Sequence, residues 1–330
     1  MTVAALRLAV VGVGHLGQHH ARILAEMPGV ELVGVADIKP GRAAEVAARY
    51  ATTAHTDASE LVGRVDGVSI ATPTVSHVAV ALPFVESGAA VLVEKPLAAS
   101  VADADRLLSA AVARGAMVAT GHTERFNPAV TAALPLVSRP RFIEIHRLGT
   151  FPERSLDIDV IFDLMIHDLD VLLAVVGSEV DAVEAVGVNV LTPRVDIANA
   201  RLRFASGCIA NVTASRISRD RVRKARFFQH DAYISIDYAA QEVEMYRLVA
   251  HSTAAARGGP RNGDGPNGLR PAIQGGRVDV VADEPLRREL ADFAAAIRER
   301  RPPAVTGTDG RAALALATRV SDIISSDLSA

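Results

Sequence analysis

Three glycines decide most of what this chain can become. Gly12, Gly14 and Gly17 lie in "LRLAVVGVGHLGQHHARIL", where an apolar β-rich run meets a stretch of helical character. Glycines at that spacing say little alone. Here they end a strand, open a helix, and are followed 20 residues after Gly17 by Asp37, at the close of a second apolar run, "VELVGVAD". A strand, a tight turn and a helix N-terminus in that order present backbone N–H groups to a pyrophosphate, and the carboxylate accepts ribose hydroxyl hydrogens. Gly12, Gly14, His15, Leu16, Gly17 and Asp37 are therefore candidate cofactor contacts. Asp37 would repel a 2′-phosphate, which favours NAD over NADP, while Lys39 and Arg42 nearby work against that preference. The competing reading is a plain glycine turn with a capping aspartate.

The surrounding pattern extends this reading. "GVSIATP", "AAVLVEKP" and "AMVATGH" read as further strands, alternating with helices over "HVAVALPFVESG" and Ala102–Arg114. Such alternation implies βαβ units and a parallel sheet covered on both faces. After Gly121 the period changes to two, in "RFIEIHRLGTF", "DAVEAVGVNVL", "DIANARLRFA", "CIANVTASRI", "KARFFQH" and "AYISIDY", with one helix over Val160–Val176. Period-2 runs in succession predict an antiparallel sheet with one face covered. Helices near Pro285–Arg300 and Thr308–Ser325 close the chain, and Ser252–Arg277, rich in Gly, Pro, Asn and Arg, reads as a mobile loop. The expectation is an α/β protein with a doubly wound Rossmann NAD-binding domain over residues 1–121. An α+β domain with a large, mainly antiparallel open sheet would follow over residues 122–330.

Composition sets limits on partners. With 330 residues, 49% of them hydrophobic, and a mean hydropathy of +0.23, the chain can bury a core and is not globally disordered. A net charge of −3 provides no field for nucleic acid or an anionic membrane. The longest apolar stretch, Val78–Val93, is broken by Pro83, Glu86 and Gly88, against a membrane span. One cysteine, Cys208, suits a reducing compartment, so a cytoplasmic location is expected. Lysine occurs only at positions 39, 95 and 224, against 32 arginines. A retained lysine is either incidental or needed because arginine does not give up its proton.

The strand ends carry the chemistry-bearing residues. "ATPTVSH" puts Thr72, Pro73 and His77, and "EKP" puts Glu94 and Lys95, at the carboxyl ends of strands, where an α/β sheet places its ligand. A Glu–Lys pair is usually a solvated ion pair, but beside a nicotinamide Lys95 becomes a candidate for holding a reacting hydroxyl. Asp163 and His167, four apart on one helix, face a common ligand. Histidine titrates in the range that suits removal of a hydroxyl proton. His167 is read as general base, Asp163 as ligand for a neighbouring hydroxyl and Lys95 as a clamp on the alkoxide, with the proton roles of Lys95 and His167 exchangeable. Asp163, His167, Asp168 and Asp170 also read as a plain polar helix face, and a metal reading lacks a second ligand cluster. In "GHTERFNP", His122, Arg125 and Asn127 are substrate-binding candidates, unless the segment is a packed hinge with Arg125 paired to a carboxylate. "RDRVRKAR", Arg219–Arg226, reads as a solvated strand edge or a phosphate site, and His15, His19 and His20 as incidental to the first helix.

Taken in order and spacing, the fingerprint, "TPTVSH", "EKP", "GHTERFNP" and "DLMIHDLD" resemble the glucose–fructose oxidoreductase/inositol dehydrogenase (Gfo/Idh/MocA) family over nearly the whole chain. The resemblance implies reversible hydride transfer between nicotinamide and a sugar or polyol carbinol carbon. The motif lysine falls on Lys95 and the family's D-x-x-x-H pair on Asp163 and His167. It also implies an open sheet used for subunit contacts, hence a homodimer or homotetramer. "GHTERFNP" followed by "FPERSLDIDVIFDLMIHDLDVLL" is similar to the sugar-nucleotide branch, most like UDP-N-acetylglucosamine 3-dehydrogenases, which form a 3-keto sugar for transamination before lipid A assembly. Arg154, Arg219, Arg221 and the loop arginines are then candidates for a diphosphate. Two alternatives remain, a free-sugar or inositol dehydrogenase and a non-catalytic NAD-binding regulator. The presence of Lys95, Asp163 and His167 together argues for an enzyme.

Overall fold

In the computed structural model, residues 4–151, 158–249 and 272–328 are described. Six short strands pair in parallel: β1 (Leu6–Val11), β2 (Val30–Ala36), β3 (Thr53–His55), β4 (Gly67–Ile70), β5 (Ala90–Glu94) and β6 (Val118–Gly121). Their order is β3-β2-β1-β4-β5-β6, so the winding reverses between β1 and β4 and leaves a crevice at the carboxyl ends. β4, β5 and β6 are buried throughout, as strands covered on both faces must be. The cover comes from α1 (Gly17–Glu26), α2 (Pro40–Arg49), α3 (His77–Glu86) and α4 (Val101–Arg114). α4 begins at Ser100, whose hydroxyl accepts the Asp103 N–H at 3.1 Å, and stops at Gly115 in the left-handed region.

The chain then passes through α5 (Pro128–Ala133), β7 (Pro140–Leu148), α6 (Ile166–Val176), β8 (Val180–Val188), β9 (Ile197–Phe204), β10 (Ile209–Ser215), β11 (Val222–Gln229), β12 (Ala232–Asp237), β13 (Glu242–Val249) and β14 (Ala272–Val278). These eight strands form one sheet in the order β14-β13-β12-β11-β7-β10-β9-β8, antiparallel except where β7 meets β10. One face is cored by α5, α6 and α8 (Gly307–Leu328). The other carries a ladder of Phe142, Phe228, Tyr233 and Tyr246, with successive ring centroids 5.7, 5.2 and 6.3 Å apart. Exposed Val186, Val188, Leu248 and Ile273 lie on the same face.

α7 (Pro285–Glu299) comes late in the chain but packs on the first sheet. Its Leu290, Phe293 and Ala294 share a core with Leu8, Val10, Leu92 and Ala119. Gly67 is the point of close approach, because a Cβ there would stand 2.7 Å from Ile297 and 3.2 Å from Phe293. α8 serves both cores, with Leu314 beneath the first sheet and Leu316, Val320 and Ile324 beneath the second.

Several expectations needed correction. The expected loop of Ser252–Arg277 ends in β14. Its residues before Ala272, and Arg154, lie outside the described residues. Gly275 reads as a loop residue but serves a strand, since a Cβ there would fall 2.1 Å from the Met245 carbonyl oxygen. β11 lies inside the sheet, between β12 and β7, so "RDRVRKAR" is not a strand edge.

Candidate active site

The glycine turn opens a cleft of about 870 Å³ at the crevice, lined by Gly12, Gly14, His15, Asp37, Thr72 and Pro73 among others. Gly12 has φ +81°, and a Cβ on it would collide with the backbone of Ala71 and Thr72. A Cβ on Gly17 would fall 1.8 Å from the Gly12 carbonyl oxygen, so this glycine serves helix-to-turn packing. Gly14 has open space before it. Asp37 is held at the cleft by two backbone donors, Val13 N–H at 3.0 Å and Lys39 N–H at 2.9 Å. Arg42 is spent on the turn itself, donating to the Val13 carbonyl at 2.7 Å, Gln18 at 2.9 Å and Glu45 at 2.8 Å. That removes one of the two cations set against the NAD preference. Thr72 Oγ1 lines the cleft, buried, with no hydrogen-bond partner among the described residues. A buried hydroxyl without a partner is costly, and a ligand would satisfy it. The residues fit a dinucleotide with an unphosphorylated ribose. Leu16 is exposed but is not among the lining residues.

β5 delivers Lys95 to the edge of this crevice. Its Nζ donates to the Asp163 carbonyl oxygen at 2.7 Å and stands 3.7 Å from the Asp163 carboxylate. Asp163 lies in a single π-helical turn, Ile161–Met165, which leads into α6 and His167. Such widened turns are frequent at functional sites. The rings of His122 and His167 meet edge to face, 6.3 Å between centroids. Burial, with Lys95 adding to it, pushes His122 down to about 3. His167 is held well below the ordinary histidine value by burial first, then by Lys95, Arg147, His122 and Arg223. Both imidazoles are thus neutral at physiological pH. Burial also lowers Lys95, against the pull of Asp163 and Glu94. Lys95 and Asp163 thus meet at this edge, with His167 one helical turn further on.

Other candidates turn away from the cleft. His77 is buried, its ring nitrogens 2.9 Å from the Thr72 carbonyl oxygen and 3.0 Å from that of Pro96. It straps the loops after β4 and β5 together instead of touching a cofactor. Glu94 faces down into the fold, its Oε1 3.2 Å from His20 Nε2 and its Oε2 accepting the Lys95 N–H at 3.2 Å. His20 in turn meets Ser69 Oγ at 2.7 Å, so it is a buried structural group and not incidental to the helix. Asn127 caps α5, accepting the Ala129 N–H at 3.0 Å and donating to the Tyr238 carbonyl at 3.0 Å, which leaves it no role at a substrate. Arg125 is drawn to Asp170 at 3.4 Å, as the hinge reading anticipates. Arg219 and Arg221 lie just ahead of β11.

The sequence reading missed a hub. Arg147 grips Asp168 through Nε and Nη2 at 2.7 and 2.8 Å, donates to Glu124 at 2.8 Å, and lies over the Tyr238 ring at 5.3 Å. Burial opposes its charge, but Asp168 and Glu124 outweigh burial and hold the guanidinium protonated. The signal was available in "RFIEIHRL", where Arg147 falls in the same phase as buried Ile143 and Ile145. An arginine in the core phase of a strand needs partners.

Comparison with known proteins agrees with this geometry. Residues 6–122 match the Gfo/Idh/MocA oxidoreductase family with an NAD-binding Rossmann fold, and residues 139–234 match the Gfo/Idh/MocA C-terminal domain. A UDP-N-acetylglucosamine 3-dehydrogenase of Acidithiobacillus ferrooxidans is 38% identical over 316 residues, 96% of each chain. A solved structure of that enzyme covers 98% of both chains with a TM-score of 0.86. An inositol 2-dehydrogenase of Rhizobium meliloti is 27% identical over 94% of each chain. With both halves matched, the chain belongs to the Gfo/Idh/MocA family of NAD-binding oxidoreductases.

Proposed function

We propose that this protein is an NAD-dependent dehydrogenase that oxidises the 3-hydroxyl of a UDP-N-acetylhexosamine such as UDP-N-acetylglucosamine. The observation that carries the reading is the meeting of Lys95 with Asp163, one helical turn before His167. The similarity to a UDP-N-acetylglucosamine 3-dehydrogenase along 96% of the chain supports the substrate. Gly12, Gly14, Asp37 and Thr72 would hold NAD, which supplies the hydride acceptor. His167, kept neutral by burial and its cationic neighbours, takes the hydroxyl proton. Lys95 steadies the oxygen as it gains negative charge, and Asp163 orients an adjacent hydroxyl. Residues 1–121 together with α7 form the NAD module, and the rest the substrate module. The exposed aromatic and aliphatic face of the second sheet supports a homodimer or homotetramer. A 3-keto product of this kind suits transamination, so we assign the enzyme to the cytoplasm, ahead of lipid A assembly.

Nicotinamide reduction by the purified protein tests the reading, with UDP-N-acetylglucosamine, free N-acetylglucosamine and myo-inositol as substrates. The UDP-sugar should be turned over with far higher kcat/KM, because remote binding energy from the nucleotide positions the ring. Comparable kcat/KM for a free hexose or inositol and for each UDP-hexosamine would overturn the substrate assignment.

A further inference from the structure

The basic run Arg219–Arg226 splits by strand parity into two sets. Lys224 and Arg226 lie on the open face and each has a carboxylate, Asp237 at 3.2 Å and Glu144 at 2.8 Å. Arg223 shares the opposite face with Ala225 and Phe227, which are fully buried in the core. Directly across the ladder from Arg223 stands Arg147, so the two side chains project to the same side, where like charges repel. Asp168 and Glu124 neutralise Arg147. Among the described residues, Arg223 has no carboxylate partner. Arg221, one alternation earlier, donates among the described residues only to Thr150 Oγ1, at 3.4 and 3.3 Å.

Both arginines are exposed, whereas Ala225 and Phe227 farther along that face are sealed. The core-facing side of β11 therefore opens at its start. It opens beside the reacting groups, because the Arg223 charge acts on His167 and Arg147 grips Asp168, the residue after His167. Lys95 and Arg147 have their acids, whereas Arg221 and Arg223, exposed at this opening, have no carboxylate partner among the described residues. We infer that Arg221 and Arg223 form the seat for the substrate's diphosphate, an inference that rests on the sugar-nucleotide reading above. Guanidinium forks match phosphate oxygens in pairs, and two adjacent negative charges would relieve the repulsion between Arg223 and Arg147.

The test uses the full chain with NAD saturating, so that UDP does not occupy the dinucleotide cleft. UDP affinity by titration calorimetry and KM for UDP-N-acetylglucosamine are compared among the unmodified protein, Arg221→Gln, Arg223→Gln and Arg223→Lys. Each Gln variant should weaken UDP binding by about 10–100-fold and raise KM similarly, the usual scale of charge-assisted hydrogen bonds. Arg223→Lys should recover part of the loss, since it restores charge without the fork. Unchanged NAD affinity in every variant reports an intact fold. If the unmodified enzyme turns over the UDP-sugar and both Gln variants bind UDP as well as it does, the seat lies elsewhere and the substrate reading stands. If the unmodified enzyme neither binds UDP nor turns over any sugar nucleotide, the substrate reading falls and takes the diphosphate seat with it.

Discussion

Burial sets the protonation range of the two groups proposed as base and clamp. His167 acts as a base only when neutral, and burial with nearby cations holds its pKa well below 6.5. Lys95 acts as a clamp only when charged, and burial moves its pKa below 10.5. Both limbs of the pH profile of kcat/KM for substrate, measured with NAD saturating, should therefore be displaced toward acid. Activity should persist below pH 6.5 and fade before pH 10.5, and an acid limb centred at or above 6.5 would exclude His167 as the base. Lys95→Ala and His167→Ala should each lower kcat by about 10²–10⁴, the usual scale of positioned acid–base help, with NAD affinity retained. Asp37→Ser should narrow the preference for NAD over NADP by about 1–3 kcal/mol, read from the two dissociation constants. The meeting of Lys95 with Asp163 was legible because polar residue types stood at strand and helix ends, where a crevice must form. His77, Glu94 and Asn127 stood there too, yet they turn inward to the Thr72 carbonyl, His20 and the Tyr238 carbonyl. Which way a polar side chain turns depends on partners up to 111 residues away in sequence, and local pattern does not carry that.

At the scale of elements, Asn127 gives a clear discrimination. It closes α5 at its N-terminus and ties it to the residue after β12, so Asn127→Ala should cost about 1–3 kcal/mol of stability. The melting temperature should drop while KM for the sugar substrate stays the same. A raised KM with unchanged melting would return Asn127 to the substrate. The doubly wound half was readable because its buried strands are apolar runs with helices between them. β3 escaped notice because three residues are too few to show a period. β14 escaped because its glycines mimic a loop, although Gly275 is there to admit the neighbouring backbone. The widened turn at Ile161–Met165 left no mark either, since one extra residue per turn barely alters the spacing of apolar positions.

At the scale of the whole molecule, the ladder of Phe142, Phe228, Tyr233 and Tyr246 could not be read from sequence, because only the register of four strands aligns those rings. If that face joins subunits, Phe228→Glu with Tyr246→Glu should shift sedimentation velocity toward the monomer. An unchanged oligomer would place the contact elsewhere. The tail of the chain has a different consequence. α7 completes the core of the first sheet, and α8 puts side chains into the cores of both sheets. Neither half keeps its cover if the other unravels, so the two sheets share one cooperativity. Scanning calorimetry should record a single endotherm whose calorimetric and van't Hoff enthalpies agree for the folding unit, not one peak per sheet. A stop codon ahead of Pro285 would remove a share of both cores at once, and a protein shortened by about one-seventh should lose its whole transition rather than half of it.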